Sequence, residues 1–85
     1  MIQTTAADTV SSLANLPIGE HARVIAVNGH GAVARRLMEM GVVPGAQVRV
    51  IKAAPLGDPI EVRVRGYHLA LRRAEAQTIT VAPAQ

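Results

Sequence analysis

The stretch QVRVIKAAPLGDPIEVRVRG, Gln47 to Gly66, holds two β-rich runs separated by a cluster of turn formers, Pro55 to Pro59. In the second run Ile60, Val62 and Val64 alternate strictly with Glu61, Arg63 and Arg65. A period of two puts the aliphatic side chains on one face of a strand and the charged ones on the other, as in a sheet with one face packed and one in water. The first run, Gln47 to Ala54, reads as its partner strand, and the pair forms a hairpin around PLGDP.

Upstream, Pro44-Gly45 has the residue types of a type II turn, with proline presetting φ and glycine accepting a positive one. Before it, Ala32 to Met40 changes period: Val33, Leu37 and Met40 fall at i, i+4 and i+7, with Arg35, Arg36 and Glu39 on the other side. This predicts a short amphipathic helix whose apolar stripe closes one end of the fold, with Gly41 as its left-handed terminator. RVIAV, Arg23 to Val27, reads as a strand ended by Asn28-Gly29. Downstream, His68 to Arg73 and Thr78 to Val81 read as two further strands, with AEAQ allowing a single helical turn between them.

The expectation is a mainly β fold: a small barrel of about five strands with one short α-helix inserted between the first two. Closure is favoured because it removes exposed strand edges. The domain is read as residues 13–82, between an N-terminal tail 1–12 and a short C-terminal tail 83–85.

Composition narrows the function. Tyr67 is the only aromatic residue among 85, so the core rests on Val, Ile, Leu, Met and Ala, and an aromatic-lined groove for proline-rich peptides is excluded. There is no cysteine, hence no disulfide, thiolate metal site or cysteine nucleophile. Ser11 and Ser12 lie in the tail with no local histidine and acid to activate them, and NGHGA lacks the Lys-Ser/Thr of a phosphate-binding loop, so no enzyme is expected. MIQTTAADTVSS has neither a basic start nor an apolar core, and no apolar run approaches a membrane span; a cytoplasmic location without membrane insertion is expected.

Two segments, RRLMEMGVVPGAQVRV and APLGDPIEVRVRGYHLALRRAEAQTITV, resemble the bacterial ferrous iron transport protein A family, FeoA, and the resemblance runs from about Leu13 to Val81. It implies an SH3-like β-barrel carrying an extra helix, and a cytoplasmic role supporting FeoB, the membrane ferrous-iron transporter with a GTP-binding domain. A related domain ends iron-dependent repressors, whose DNA-binding half has no counterpart in these 85 residues.

Docking on such a transporter calls for apolar side chains the core does not need, because surface ion pairs contribute only about 0–1 kcal/mol each. The candidates are Leu56 in its proline-flanked loop, Met38 at the margin of the helix stripe, and Tyr67 after the turn at Gly66. Each also has a packing role open to it: Leu56 tucked back over the barrel end, Tyr67 capping the core. No cofactor is required. Glu20, His21 and His68 are the candidate donors for a weak surface site for zinc or ferrous iron, completed by small anions or by a neighbouring molecule in a metal-bridged dimer. The alternative function is a nucleic-acid-binding module. The net charge of +3 comes from eight Arg and one Lys against six carboxylates, and Arg49, Arg63, Arg65, Arg72 and Arg73 would supply a phosphate-contacting stripe. A single tyrosine is a poor platform for stacking bases, which weighs against it.

Overall fold

The computed structural model describes residues 10–83. The chain runs β1 (Ser11–Ser12), a 3₁₀ turn (Leu13–Asn15), β2 (His21–Val27), α1 (Gly31–Glu39), β3 (Gln47–Ala53), β4 (Ile60–Val64), β5 (Tyr67–Leu71), α2 (Arg73–Ala76) and β6 (Ile79–Pro83). The strands form one antiparallel sheet in the order β1-β6-β2-β3-β4-β5.

The deciding hairpin is present. β3 and β4 pair from Val48↔Val64 to Ala53↔Ile60 with one bulge between Val50 and Lys52, and Ile60, Val62 and Val64 are all buried. The alternation stops one residue early, because Arg65 is not in the strand. With φ of 53° it forms a tight two-residue turn with Gly66, and Val64 then pairs with Tyr67.

The helix also forms, and its C-terminus is a Schellman motif: Gly41 N–H donates to the Met38 carbonyl at 3.1 Å and Val42 N–H to the Leu37 carbonyl at 3.0 Å. Gly41 sits at φ 102°, which an L side chain resists. The turn at Pro44-Gly45 is closed by Ala46 N–H donating to Val43 at 3.0 Å, with Gly45 at φ 93°. Gly45 N–H donates in turn to the Val24 carbonyl at 2.8 Å, so this turn sets where β3 begins against β2.

Three expectations are corrected. The buried face of α1 is Ala34 and Leu37, with Met40 half-buried, whereas Val33 is 44% exposed. The rotation follows from Ala34, whose small side chain lets the helix lie close to the core. Ser11 and Ser12 are not tail: they pair with Val81 and Thr80 of β6, and Pro83 belongs to β6 as well. The rest of the expected tails, residues 1–9 and 84–85, lies outside the described residues. Finally, the SH3-like sheet is not closed, since its end strands β1 and β5 do not pair. Closure needs end strands long enough to meet, and β1 has two residues. Leu13 of the 3₁₀ turn, Leu37 of α1 and Ala76 of α2 complete the core instead, each at most 1% exposed.

Candidate functional site

The apolar docking candidates occupy two regions. Tyr67, 67% exposed, opens β5, and with Glu39, Met40, His68 and Leu69 it lines a groove of about 350 Å³ between the end of α1 and the sheet. Met38, 45% exposed, lies on the last turn of the same helix. Leu56 is 96% exposed at the tip of the β3–β4 hairpin, so it does not tuck back over the fold. The hairpin tip and Tyr67 are at opposite ends of β4, where Ile60 pairs with Leu71 and Val64 with Tyr67. At about 3.3 Å per residue β4 alone spans roughly 13 Å between them, and the hairpin loop lies beyond its Ile60 end. Tyr67 lines the groove, Leu56 marks a separate region, and Met38 is exposed on α1 but is not among the groove's lining residues. Ile18, 62% exposed in the turn before β2, is a further exposed apolar residue that sequence reasoning passed over, because Pro17 and Gly19 mark it only as part of a turn.

The metal candidates do not converge. Glu20 and His21 line a shallow depression of about 180 Å³ with Ser11, Leu16 and Val81. The register passes from His21 to Arg49, from Arg49 to Arg63 and from Arg63 to His68. His68 is therefore three strand spacings from His21, roughly 14 Å, while metal ligands sit about 2 Å from their ion. Among the described residues no group of three or more His, Cys, Asp or Glu side chains can hold a metal. The donor set therefore does not fit a resident metal.

Nor do the five arginines form a stripe. Arg49 and Arg63 stand opposite each other on the outer face of the sheet, and both are exposed. Arg65 is in the turn, with its Cδ 3.0 Å from where a Cβ on Gly41 would stand. Arg72 precedes α2, and its N–H donates to the Glu75 carboxylate at 2.9 Å. Arg73 turns inward: Nε donates to the Gly57 carbonyl at 3.0 Å, Nη1 to the Ala14 carbonyl at 2.7 Å, and its backbone N–H to Asp58 Oδ1 at 3.0 Å. It ties α2 to the hairpin loop and to the 3₁₀ turn. Among the described residues the one ion pair is Arg36 with Glu75, at 3.5 Å between α1 and α2.

This open six-stranded sheet with a helix after its second strand can be placed among known proteins. A family model of the FeoA domain matches residues 11–83. The chain belongs to the FeoA family. Its sequence is 39% identical over 69 residues to a Fe(2+) transport protein A/Fe(2+) transporter FeoB fusion protein of Porphyromonas gingivalis, a match covering 81% of this chain and 8% of that much longer protein. The solution structure of a FeoA protein from Chlorobium tepidum superposes with a TM-score of 0.83 at 47% identity, over 87% of this chain and 70% of the other. The FeoA of Stenotrophomonas maltophilia, solved with zinc and described as a prokaryotic SH3 domain protein, gives a TM-score of 0.75 at 38% identity, over 82% and 87% of the two chains. The fold and the link to ferrous iron transport are those of FeoA proteins, which are small transport-associated domains and not a known enzyme family. No helix among the described residues is long and apolar enough to cross a membrane.

Proposed function

We propose that this FeoA protein is a cytoplasmic accessory of ferrous iron transport that binds a FeoB-like membrane transporter and modulates it by protein–protein contact. The observation that carries the reading is the Porphyromonas gingivalis relative, in which a FeoA segment and a FeoB transporter share one chain. Covalent linkage holds two domains at high effective concentration, which is useful where the unlinked partners meet. Contact is made through the exposed apolar residues the core leaves over: Tyr67 in the groove, Met38 on the last turn of α1, and Leu56 at the hairpin tip. The three lie too far apart for one small pocket, so they suit a partner surface broad enough to reach both ends of β4. Zinc or ferrous iron on Glu20 and His21 would take its remaining donors from outside the chain, as in a metal-bridged pair of copies.

The test uses Leu56→Ser, Met38→Gln and Tyr67→Ala. None of these side chains is buried, so each variant keeps its fold. Fully burying a large apolar side chain is worth about 1.5–3 kcal/mol, so each contact residue should weaken binding to the transporter's cytoplasmic domain by roughly ten- to a hundredfold. Iron uptake in cells should fall in parallel. Folded variants that all bind and transport normally would remove this surface from the mechanism.

A further inference from the structure

Pairing in the sheet aligns one outward-facing position from each of four neighbouring strands: His21 on β2, Arg49 on β3, Arg63 on β4 and His68 on β5. All four are exposed, while the positions beside them, Ala22, Val48 and Val64, are buried. Arg23 and Lys52 add positive charge to the same side of the sheet, and Glu61, paired with Lys52, is its one carboxylate within the strands. Neither Arg49 nor Arg63 has an acidic partner within 4 Å among the described residues. Like charges directly opposite one another in a sheet are destabilising. Folding therefore offers no reason for two arginines to face each other here.

We propose that this row is a docking strip for an acidic, helical segment of a partner protein. Adjacent strands are about 4.8 Å apart, so the four side chains span roughly 14 Å. Carboxylates on one face of an α-helix, at i, i+3 or i+4, i+7 and i+10 or i+11, are spaced about 4.5–6 Å along its axis and span roughly 15 Å. An extended peptide repeats on one side only every 6.6 Å or so and falls out of step within two residues. The planar guanidinium fork matches a carboxylate, and two forks side by side favour an occupant with regularly placed carboxylates. Nucleic acid is the poorer fit, since the face carries no aromatic side chain for bases to stack on: Tyr67, paired with the buried Val64, belongs to the other face. An anionic lipid surface typically calls for a larger basic cluster without an interposed carboxylate such as Glu61. His68, at one end of the strip, also lines the groove beside Tyr67, whereas His21, Arg49 and Arg63 do not; the strip follows from register and charge and does not rest on the transporter reading.

The experiment uses the full chain and a labelled, end-capped peptide of about three helical turns with glutamates on one face and Ala or Gln elsewhere, measured by fluorescence anisotropy at low salt. A peptide of the same composition with the glutamates distributed around all faces is the control. The one-faced peptide should bind more tightly than the control. Arg49→Gln/Arg63→Gln should weaken it about tenfold, as expected for two exposed ion pairs, whereas Arg35→Gln on α1 should leave it nearly unchanged. The double variant should melt at or above the wild-type temperature, because it removes a like-charge pair. Equal binding of the two peptides, equal loss on Arg35→Gln, or no binding at low salt would overturn the proposal. So would tighter, Arg49- and Arg63-dependent binding of a single-stranded RNA or of phosphatidylserine-containing vesicles, which would assign the row to phosphate.

Discussion

Replacing Arg73 with alanine should destabilise this protein more than any other single arginine change. The side chain donates to two backbone carbonyls that are remote in sequence, Gly57 in the hairpin loop and Ala14 in the 3₁₀ turn. Hydrogen bonds from a charged donor are worth about 1.5–3 kcal/mol each. Ala14 is 7% exposed, so little water replaces the donor there, whereas the half-buried Gly57 is partly rehydrated. The loss is then about 2–4 kcal/mol, a substantial part of a margin of roughly 5–15 kcal/mol. For a domain of this size it corresponds to a fall in Tm of roughly 10–30 °C. Urea unfolding followed by far-UV circular dichroism measures it directly, and an unchanged m-value would show that the native state has lost stability without loosening. Arg73→Lys keeps the charge but not the fork, and should recover no more than about half of the loss. If Arg73→Ala unfolds within about 0.5 kcal/mol of wild type, the clamp is wrong and Arg73 is a solvated cation, back among the exposed basic residues.

The two glycines make a matched pair. Gly45→Ala, at φ 93° with nothing within 4 Å of the new Cβ, should cost about 1–3 kcal/mol of backbone strain alone; Gly41→Ala, at φ 102° against Arg65 Cδ at 3.0 Å, should cost at least as much, with the excess relieved by Arg65→Ala in thermal melts. Val62 is fully buried between Val50 and Leu69, so Val62→Asp places an unpaired carboxylate in the core and should leave the chain unfolded by circular dichroism at room temperature; a cooperative melt near the wild-type Tm would mean the register is wrong.

What the sequence made legible was local. The β3–β4 hairpin, the glycine that ends α1 and the turn at Pro44-Gly45 each depend on residues within a few positions of one another, and each is where their side-chain chemistry puts it. The helix was placed correctly, but its buried face was not, because Val33 outweighs Ala34 on a hydrophobicity count while Ala34 is the one that fits against the core. The alternation through Arg65 ran one residue too far, since nothing in an arginine announces a positive φ. Pairing of two serines with Val81 and Thr80, and a guanidinium reaching from position 73 to position 14, are long-range events with no local signature. The candidate site followed the same division. Leu56 was readable as an apolar residue in a loop, open either to docking or to packing back over the fold, and only its exposure in the structure decides between them; likewise the separation of His68 from Glu20 and His21, and the alignment of Arg49 with Arg63, follow only once the strand registers are set.

The lone tyrosine also decides how this molecule can be observed. With no tryptophan or phenylalanine, every near-ultraviolet signal comes from Tyr67, and Tyr67 is two-thirds exposed at the rim of a groove instead of lodged in the core. Its ring is already in water in the native state, so emission and absorbance should change little as the aliphatic interior melts. They should respond when something covers the groove. The chain therefore carries a built-in optical reporter that is nearly silent to unfolding and responsive to occupancy at one end of the sheet, allowing partner binding there to be followed without a label.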